Sequence, residues 1–399
     1  MIRFTLDERE VDAHEGESIL AVTQRHGIAL PHLCHQEGLG SPGNCRACVV
    51  EIEGERVLAP SCCRAPRDGM TVRTASPRAE AARRGVLELL LAEAPQARGE
   101  LPHWAAQTGA RADHFAAPPT NNISPDSSHP AIISDAAACI ACTRCVSACR
   151  DIQGNDVIGL SARGEIVFDA GSMLGASSCI ACGECVAACP TGALRSRAEA
   201  APERAVDSLC PYCGVGCQVR YSVAGNAIVA VEGRDGPANS GRLCVKGRYG
   251  YDYPRHAERL TVPLIRRDDI RKDASLAGMP GDWREQFREA SWEEALDFAA
   301  GGLLNIKREQ GKHALAGFGS AKGSNEDAYL FQKLVRLGFG NNDVDHCTRL
   351  CHASSVAALL EGIGSGAVSN PVRDVEYADV VIVIGANPTE NHPVAASFM

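Results

Sequence analysis

Long apolar runs are lacking. No aliphatic stretch in the 399-residue chain exceeds five residues, Val380 to Ile384 being one, against the roughly 20 residues that cross a bilayer. No membrane span is expected. The N-terminus, MIRFTLDERE, alternates apolar and polar residues and has no positive segment ahead of an apolar core, so no secretory signal is apparent and a cytoplasmic location is expected. Basic runs are also lacking. With 40 Lys and Arg against 49 Asp and Glu, the formal charge is -9, and nucleic-acid phosphates find no footprint. Cysteine is also locally absent, with none between Cys63 and Cys139.

Elsewhere cysteine is abundant, at 19 residues. The chain is too long for a small disulfide-stapled scaffold and its length implies more than one domain, so metal ligation is the expected use of the thiols.

Cys34, Cys45, Cys48 and Cys62 form a C-x10-C-x2-C-x13-C arrangement. Ile2, Phe4 and Leu6 alternate as in a strand, Ser18 to His26 reads as a helix, and a Gly-rich loop runs from Gly38 to Asn44. A two-iron cluster needs four thiolates at the edge of a small sheet, and a Gly-rich loop lets backbone N–H groups approach its sulfurs. Zinc is the competing occupant, although a zinc ribbon generally has two short knuckles and only one close pair is present here. Cys63 follows Cys62 directly and is read as a spare.

Cys139, Cys142, Cys145 and Cys149, then Cys179, Cys182, Cys185 and Cys189, repeat one C-x2-C-x2-C-x3-C spacing. IACTRCVSAC recurs as IACGECVAAC, an internal duplication with the spacing of bacterial two-cluster ferredoxins. In that arrangement three close cysteines wrap one [4Fe-4S] centre and the fourth ligates the other. Cys139, Cys142, Cys145 and Cys189 are expected at one centre, and Cys179, Cys182, Cys185 and Cys149 at the second. Pro190 follows the second run as the motif asks, whereas Arg150 stands at that place in the first.

The fourth group is Cys210, Cys213, Cys217 and the distant Cys244, separated by strand-like segments Val219 to Val223 and Ile228 to Glu232. One cluster on its own small sheet is implied, with zinc open on spacing alone. The four groups take sixteen of the 19 cysteines and leave Cys63, Cys347 and Cys351.

From about Leu260 the chain alternates helix and strand. Ser291 with Glu294 reads as a capping box for a helix carrying Leu296, Ala299, Leu303 and Ile306 on one face. Ala314 to Phe318 reads as a strand, Ser324 with Asp327 caps Tyr329 to Leu337, and Val380 to Ile384 reads as a buried strand. A parallel α/β layer with ligands at the carboxyl ends of its strands is expected. Gly317, Gly319 and Gly323 do not make G-x-G-x-x-G, and no NAD site is read from them.

These modules, with CPYCGVGC, LCVKGRYGYDY and the segment around DHCTRLCHASSVAALL, resemble the catalytic alpha subunit of molybdenum- or tungsten-dependent, NAD-linked formate dehydrogenases. The N-terminal modules resemble those of the large iron-sulfur subunit of complex I. The resemblance covers essentially the whole chain. It implies a β-grasp [2Fe-2S] ferredoxin domain (1–76), a helix and linker (77–130), a two-[4Fe-4S] ferredoxin domain (131–200), a small β-rich [4Fe-4S] domain (203–259) and an incomplete molybdopterin-binding α/β domain (260–399). One [2Fe-2S] centre, three [4Fe-4S] centres and a molybdenum or tungsten bis-pterin guanine dinucleotide are implied as cofactors.

By resemblance, Cys351 is a ligand of the catalytic metal, where a soft thiolate suits the ion. His352 handles a proton beside the substrate, and Lys246 sits between the last cluster and the pterin. Gly385 and Asn387 stand in the family's pterin-dinucleotide loop, although Gly-x-Asn-Pro is by itself merely a turn. The implied activity is oxidation of formate to carbon dioxide, with a flavin- and NAD-binding partner subunit. Removal of the formate hydrogen as hydride or as proton is not decided by the sequence. The competing function is a non-catalytic iron-sulfur subunit of a complex I-like or hydrogenase assembly.

Two departures from the family stand out. Many relatives carry a further four-iron centre held by one histidine and three cysteines, which the cysteine-free stretch cannot supply, since His103 and His114 do not replace three thiolates. That loss lengthens the relay unless the modules pack closer or another subunit supplies a cluster. The family also continues well past the position of Met399, so an N-terminal fragment, inactive alone, is expected.

Overall fold

The computed structural model describes residues 1–116, 124–197, 201–270, 283–367 and 370–399. The part of the predicted linker at 117–123 lies outside the described residues. Two compact units are present, one comprising Met1–Pro254 with Pro371–Met399 and the other Arg255–Asn370.

In the first unit, Ile2–Leu6 and Arg9–Ala13 form a hairpin, whose turn residues Asp7 and Glu8 take φ of 46° and 70°, as a two-residue turn matched to strand twist requires. Ile2–Leu6 also runs parallel to Thr71–Arg73, and Val49–Ile52 pairs antiparallel with Thr71–Arg73 and with Ala59–Pro60. The five-stranded mixed sheet and the helix Ile19–Arg25, whose Ser18 hydroxyl accepts from the Ala21 N–H at 3.1 Å, make the expected β-grasp. Phe4, Leu6, Ile19, Leu20, Leu33, Val50 and Val72 fill its core.

The stretch after this domain is more ordered than a helix and linker. Ser76 caps a helix from Pro77 to Glu93, and a second helix spans Glu100–Thr108. Leu87 and Leu101 are fully buried in the β-grasp core, and buried Arg83 donates to the Val49 carbonyl at 2.9 Å. The region is thus part of the first domain's packing. The N–H groups of Arg98 and Glu100 donate to the Thr191 and Pro190 carbonyls, both at 2.8 Å, and tie it to the duplicated cysteine module.

That module has two small antiparallel strand pairs, Ile132–Ser134 with Leu194–Ser196 and Ile158–Leu160 with Ile166–Phe168. Between them stand the short helices Arg144–Ser147 and Glu184–Ala188. Where Arg150 replaces the proline, the chain continues as a π-helical turn, Ala148–Ile152, that carries Cys149. The next module is a three-stranded antiparallel sheet, Arg204–Leu209, Gln218–Ala224 and Ala227–Gly233, followed by the helix Val245–Tyr249. The first of these strands went unrecognised in the sequence, and its side chains are exposed. Val394 and Phe398 pack into this module's core with Val219, Val231 and Leu243.

The second unit contains the hairpin Leu264–Arg266 with Phe287–Glu289, the helix Trp292–Gln310 and a parallel pair, Gly317–Gly319 with Val344–His346. The capping box at Ser324 and Asp327 is complete, and its helix spans Asn325–Lys333 before a π-helical turn, Leu334–Phe339. At Ser291 only half a box forms, because Glu294 turns to Arg288 at 2.6 Å. The strand expected from Ala314 is confined to Gly317–Gly319, after a 3-10 turn over Lys312–Ala314.

Val380–Ile384 is corrected outright. It joins no β-ladder, and its side chains are exposed, Ile384 at 85%. An apolar strand becomes buried only between paired neighbours, and none of the described residues pairs with it.

Candidate iron-sulfur and metal sites

The β-grasp domain buries Cys34, Cys45, Cys48 and Cys62 together in its core. Contact with the Cys45 and Cys62 thiols holds Cys34 far below the ordinary thiol range, and contact with Cys34 pushes Cys45 and Cys62 up. Cys48 falls to about 7 through its hydrogen bond with Cys62. Backbone N–H groups of Gly43, Cys45 and Ala47 approach these sulfurs. Cys63 is exposed and sits over the loop, where a Cβ at Gly43 would stand 2.7 Å from its Sγ.

In the duplicated module one cavity is lined by Cys139, Cys142, Cys145 and Cys189, the last from the other run. Burial pushes Cys142 up to about 12 and Cys145 well above the thiol range, and the neighbouring Cys189 adds to both. In the second set burial raises Cys179, Cys182 and Cys185, the middle one to about 12, and Cys149 from the first run adds to each. The chain therefore crosses the fourth cysteine of each run to the other set. The N–H groups of Ala141, Ala181 and Leu194 donate to Cys139, Cys179 and Cys189 sulfurs, each at 3.4 Å.

Cys210, Cys213, Cys217 and Cys244 line one cavity with Lys246. Burial lifts Cys217 to about 12 and also raises Cys210. Fully buried Asn239 fixes the approach to Cys244. Its Oδ1 accepts from the Gln218 N–H at 3.0 Å, and its Nδ2 donates to the Arg234 and Arg242 carbonyls, both at 3.1 Å.

Burial holds Cys142, Cys145, Cys182, Cys185 and Cys217 protonated, and a cationic group would reverse this by coordinating the thiolates. Among the described residues no three His, Cys, Asp or Glu side chains converge on a single-ion site. Cys139, Cys142, Cys145 and Cys189 around one cavity, with the Ala141 and Leu194 N–H groups donating to sulfur, fit a multi-iron cluster better than one zinc ion.

Cys351 and His352 belong to the second unit and are exposed, at the junction of the helices Thr348–Cys351 and Ala353–Ile363. Cys347 is better anchored, its Sγ accepting from the Ala321 N–H at 3.3 Å beyond the strand Gly317–Gly319. A cavity lined by Gly319, Ser320, Gly323, Asp327 and His346 opens at the carboxyl ends of the parallel pair, where α/β proteins hold ligands. Gly385, with φ of 63°, and Asn387, whose side chain is engaged by Thr389 and Glu390, lie in the first unit.

Comparison with known families divides the chain along the same modules. Residues 1–77 match a 2Fe-2S iron-sulfur cluster binding domain, and 138–194 a 4Fe-4S dicluster domain. Residues 203–256 match the molybdopterin oxidoreductase Fe4S4 domain and 259–399 molybdopterin oxidoreductase. The chain carries the domains of a molybdopterin oxidoreductase. Similar proteins include "Putative formate dehydrogenase YrhE" of Bacillus subtilis, 30% identical over 99% of this chain and 44% of that protein. An NADH-quinone oxidoreductase chain of Rhizobium meliloti is 34% identical over 99% of this chain and 45% of that protein. A chain in the crystal structure of an NAD+-reducing [NiFe]-hydrogenase is 31% identical, with a TM-score of 0.46 over 49% of this chain and 88% of that one. The chain spans less than half the length of these two curated relatives.

The regions of the chain so matched are iron-sulfur and molybdopterin oxidoreductase domains. Its modules also make contacts that the sequence reading missed. Asn44, beside Cys45, donates to the Ala141 carbonyl at 3.2 Å, and buried Arg144 reaches the carbonyl of His35. The β-grasp domain thus docks directly on the first ferredoxin run. No sequence spacing marks Asn44. For Arg144 a signal existed, since it occupies the one position where the duplicated runs carry opposite charges, Arg144 against Glu184.

Proposed function

We propose that this chain is the electron-relay and metal-ligating portion of a formate dehydrogenase that oxidises formate to carbon dioxide and sends the electrons toward NAD. Cys34, Cys45, Cys48 and Cys62 hold a [2Fe-2S] centre. The two crossed sets of the duplicated module hold two [4Fe-4S] centres, and Cys210, Cys213, Cys217 and Cys244 hold a third. A molybdenum or tungsten pterin cofactor supplies two-electron chemistry at substrate coupled to one-electron exit through clusters. Cys351 contributes its thiolate to that metal, and His352 accepts or donates the proton next to it. Lys246 holds a positive charge at the wall of the Cys210 cavity, where it favours an arriving electron. Gly385 and Asn387 contact the pterin dinucleotide, and a flavin- and NAD-binding partner takes up the electrons.

The observation that carries the reading is the Cys351-His352 pair inside the segment matching molybdopterin oxidoreductase. A scaffold has no physical need of an exposed thiol and imidazole there. The second reading, a non-catalytic member of a complex I-like assembly, draws support from the NADH-quinone oxidoreductase relative. Metal and sulfide analysis of the full-length product, purified anaerobically, separates them. Stoichiometric molybdenum or tungsten with formate-dependent cluster reduction is expected, and metal below about a tenth of stoichiometry with the iron clusters intact refutes the catalytic reading.

A further inference from the structure

The two cysteine runs differ in charge at one equivalent position, and the fold uses both members to join neighbouring modules. Arg144 pairs with Glu100 at 2.7 and 3.1 Å and reaches the carbonyl next to Cys34. Glu184 faces the other way. Its Oε1 accepts from Arg248 at 2.5 Å and from the N–H of Leu243, the residue before Cys244, at 2.9 Å. The ion pair is nearly dry, with Arg248 and Glu184 side chains 6% and 12% exposed.

Arg248 has a second engagement. Its Nε donates to the Cys182 carbonyl at 2.8 Å, while its own N–H donates to the Cys244 carbonyl at 3.0 Å. One residue therefore hydrogen-bonds a cysteine of each thiol set, through backbone on one side and side chain on the other. Glu184, held between Arg248 and Leu243, fixes that bridge.

We propose that Arg248, positioned by Glu184, couples the cluster at Cys210, Cys213, Cys217 and Cys244 to the cluster at Cys179, Cys182, Cys185 and Cys149. It provides a bonded route between them and a positive charge beside the second. The proposal rests on the cluster assignment above. In a site with little water, removing the arginine charge makes an electron on the Cys182 cluster less favourable, and removing the glutamate charge makes it more favourable.

The test is a cluster-resolved EPR redox titration of the full chain, prepared anaerobically with its iron counted, for the parent, Arg248→Met, Glu184→Gln and the double variant. Arg248→Met is expected to shift the equilibrium between the two clusters about tenfold away from the Cys182 cluster, roughly 59 mV for one electron. Glu184→Gln is expected to shift it in the opposite direction, and the double variant to return toward the parent. Electron exchange between the two clusters, followed by rapid freezing, slows in Arg248→Met. Shifts of one sign in both variants, or none at full iron content, overturn the proposal. If Arg248→Met loses iron, an unshifted Glu184→Gln protein overturns it alone. A parent that takes up no iron overturns the cluster assignment together with the proposal, and so is distinguished from failure of the bridge.

Discussion

Substituting Gly183 with alanine tests whether the contact between the two modules is as tight as the geometry indicates. Gly183 has φ of 74°, and a Cβ there would lie 2.2 Å from Arg248 Cδ, 2.7 Å from its Nε and 2.6 Å from the Tyr249 hydroxyl. Positive φ alone is not decisive, because Thr143 occupies the equivalent place in the first run at φ of 67°. The left-handed conformation accounts for ~1 to 2 kcal/mol. The remainder comes from Arg248, which cannot retreat without giving up the Cys182 carbonyl or Glu184. Breaking a buried pair outright costs ~3 to 5 kcal/mol, and partial displacement about half of that, so Gly183→Ala is expected to destabilise by ~3 to 4 kcal/mol. In calorimetry of the anaerobic full chain this is a fall of roughly 4 to 5 °C. In an Arg248→Ala background the same substitution meets no side chain at Cδ or Nε, and its effect falls toward the backbone contribution. That leaves a coupling of at least ~1 kcal/mol. Equal effects of Gly183→Ala in the two backgrounds, or no effect in the parent, refute the reasoning.

Three further outcomes are expected. The reconstituted chain holds about fourteen irons, from one two-iron and three four-iron centres, and chelation of that iron exposes the thiols to titration. A further four irons would contradict the reading of the cysteine-free stretch. Leu87→Ala, at a fully buried position joining the helix Pro77–Glu93 to the β-grasp core, costs ~2 to 5 kcal/mol in denaturant unfolding. Ser324→Ala removes the hydroxyl that accepts from the Asp327 N–H at 3.2 Å and costs ~1 kcal/mol, with faster amide exchange in the first turn of the helix Asn325–Lys333.

Short-range spacing made much of the molecule legible. The duplicated runs, the turn before Cys45, the cap at Ser18 and the box at Ser324 are local devices, and each is written within a few residues of chain. The same logic failed where burial depends on a distant partner. Val380–Ile384 has the composition of a buried strand, yet a strand is buried by its neighbours, and it has none among the described residues. Likewise Pro77–Thr108 reads as a helix and linker until Leu87 and Leu101 are seen inside the β-grasp core.

By itself the sequence picked out the thiols proposed to carry iron, because cluster ligation is set by thiol chemistry and by the few residues between one thiol and the next. Only the tertiary structure decided how the thiol sets meet. Asn44 against Ala141, Arg144 against His35 and Arg248 against Cys182 each join residues at least 66 positions apart. The charge contrast between the runs marks Arg144 but not its partner, since such pairs arise only when separate hydrophobic cores have formed and brought their polar edges into register.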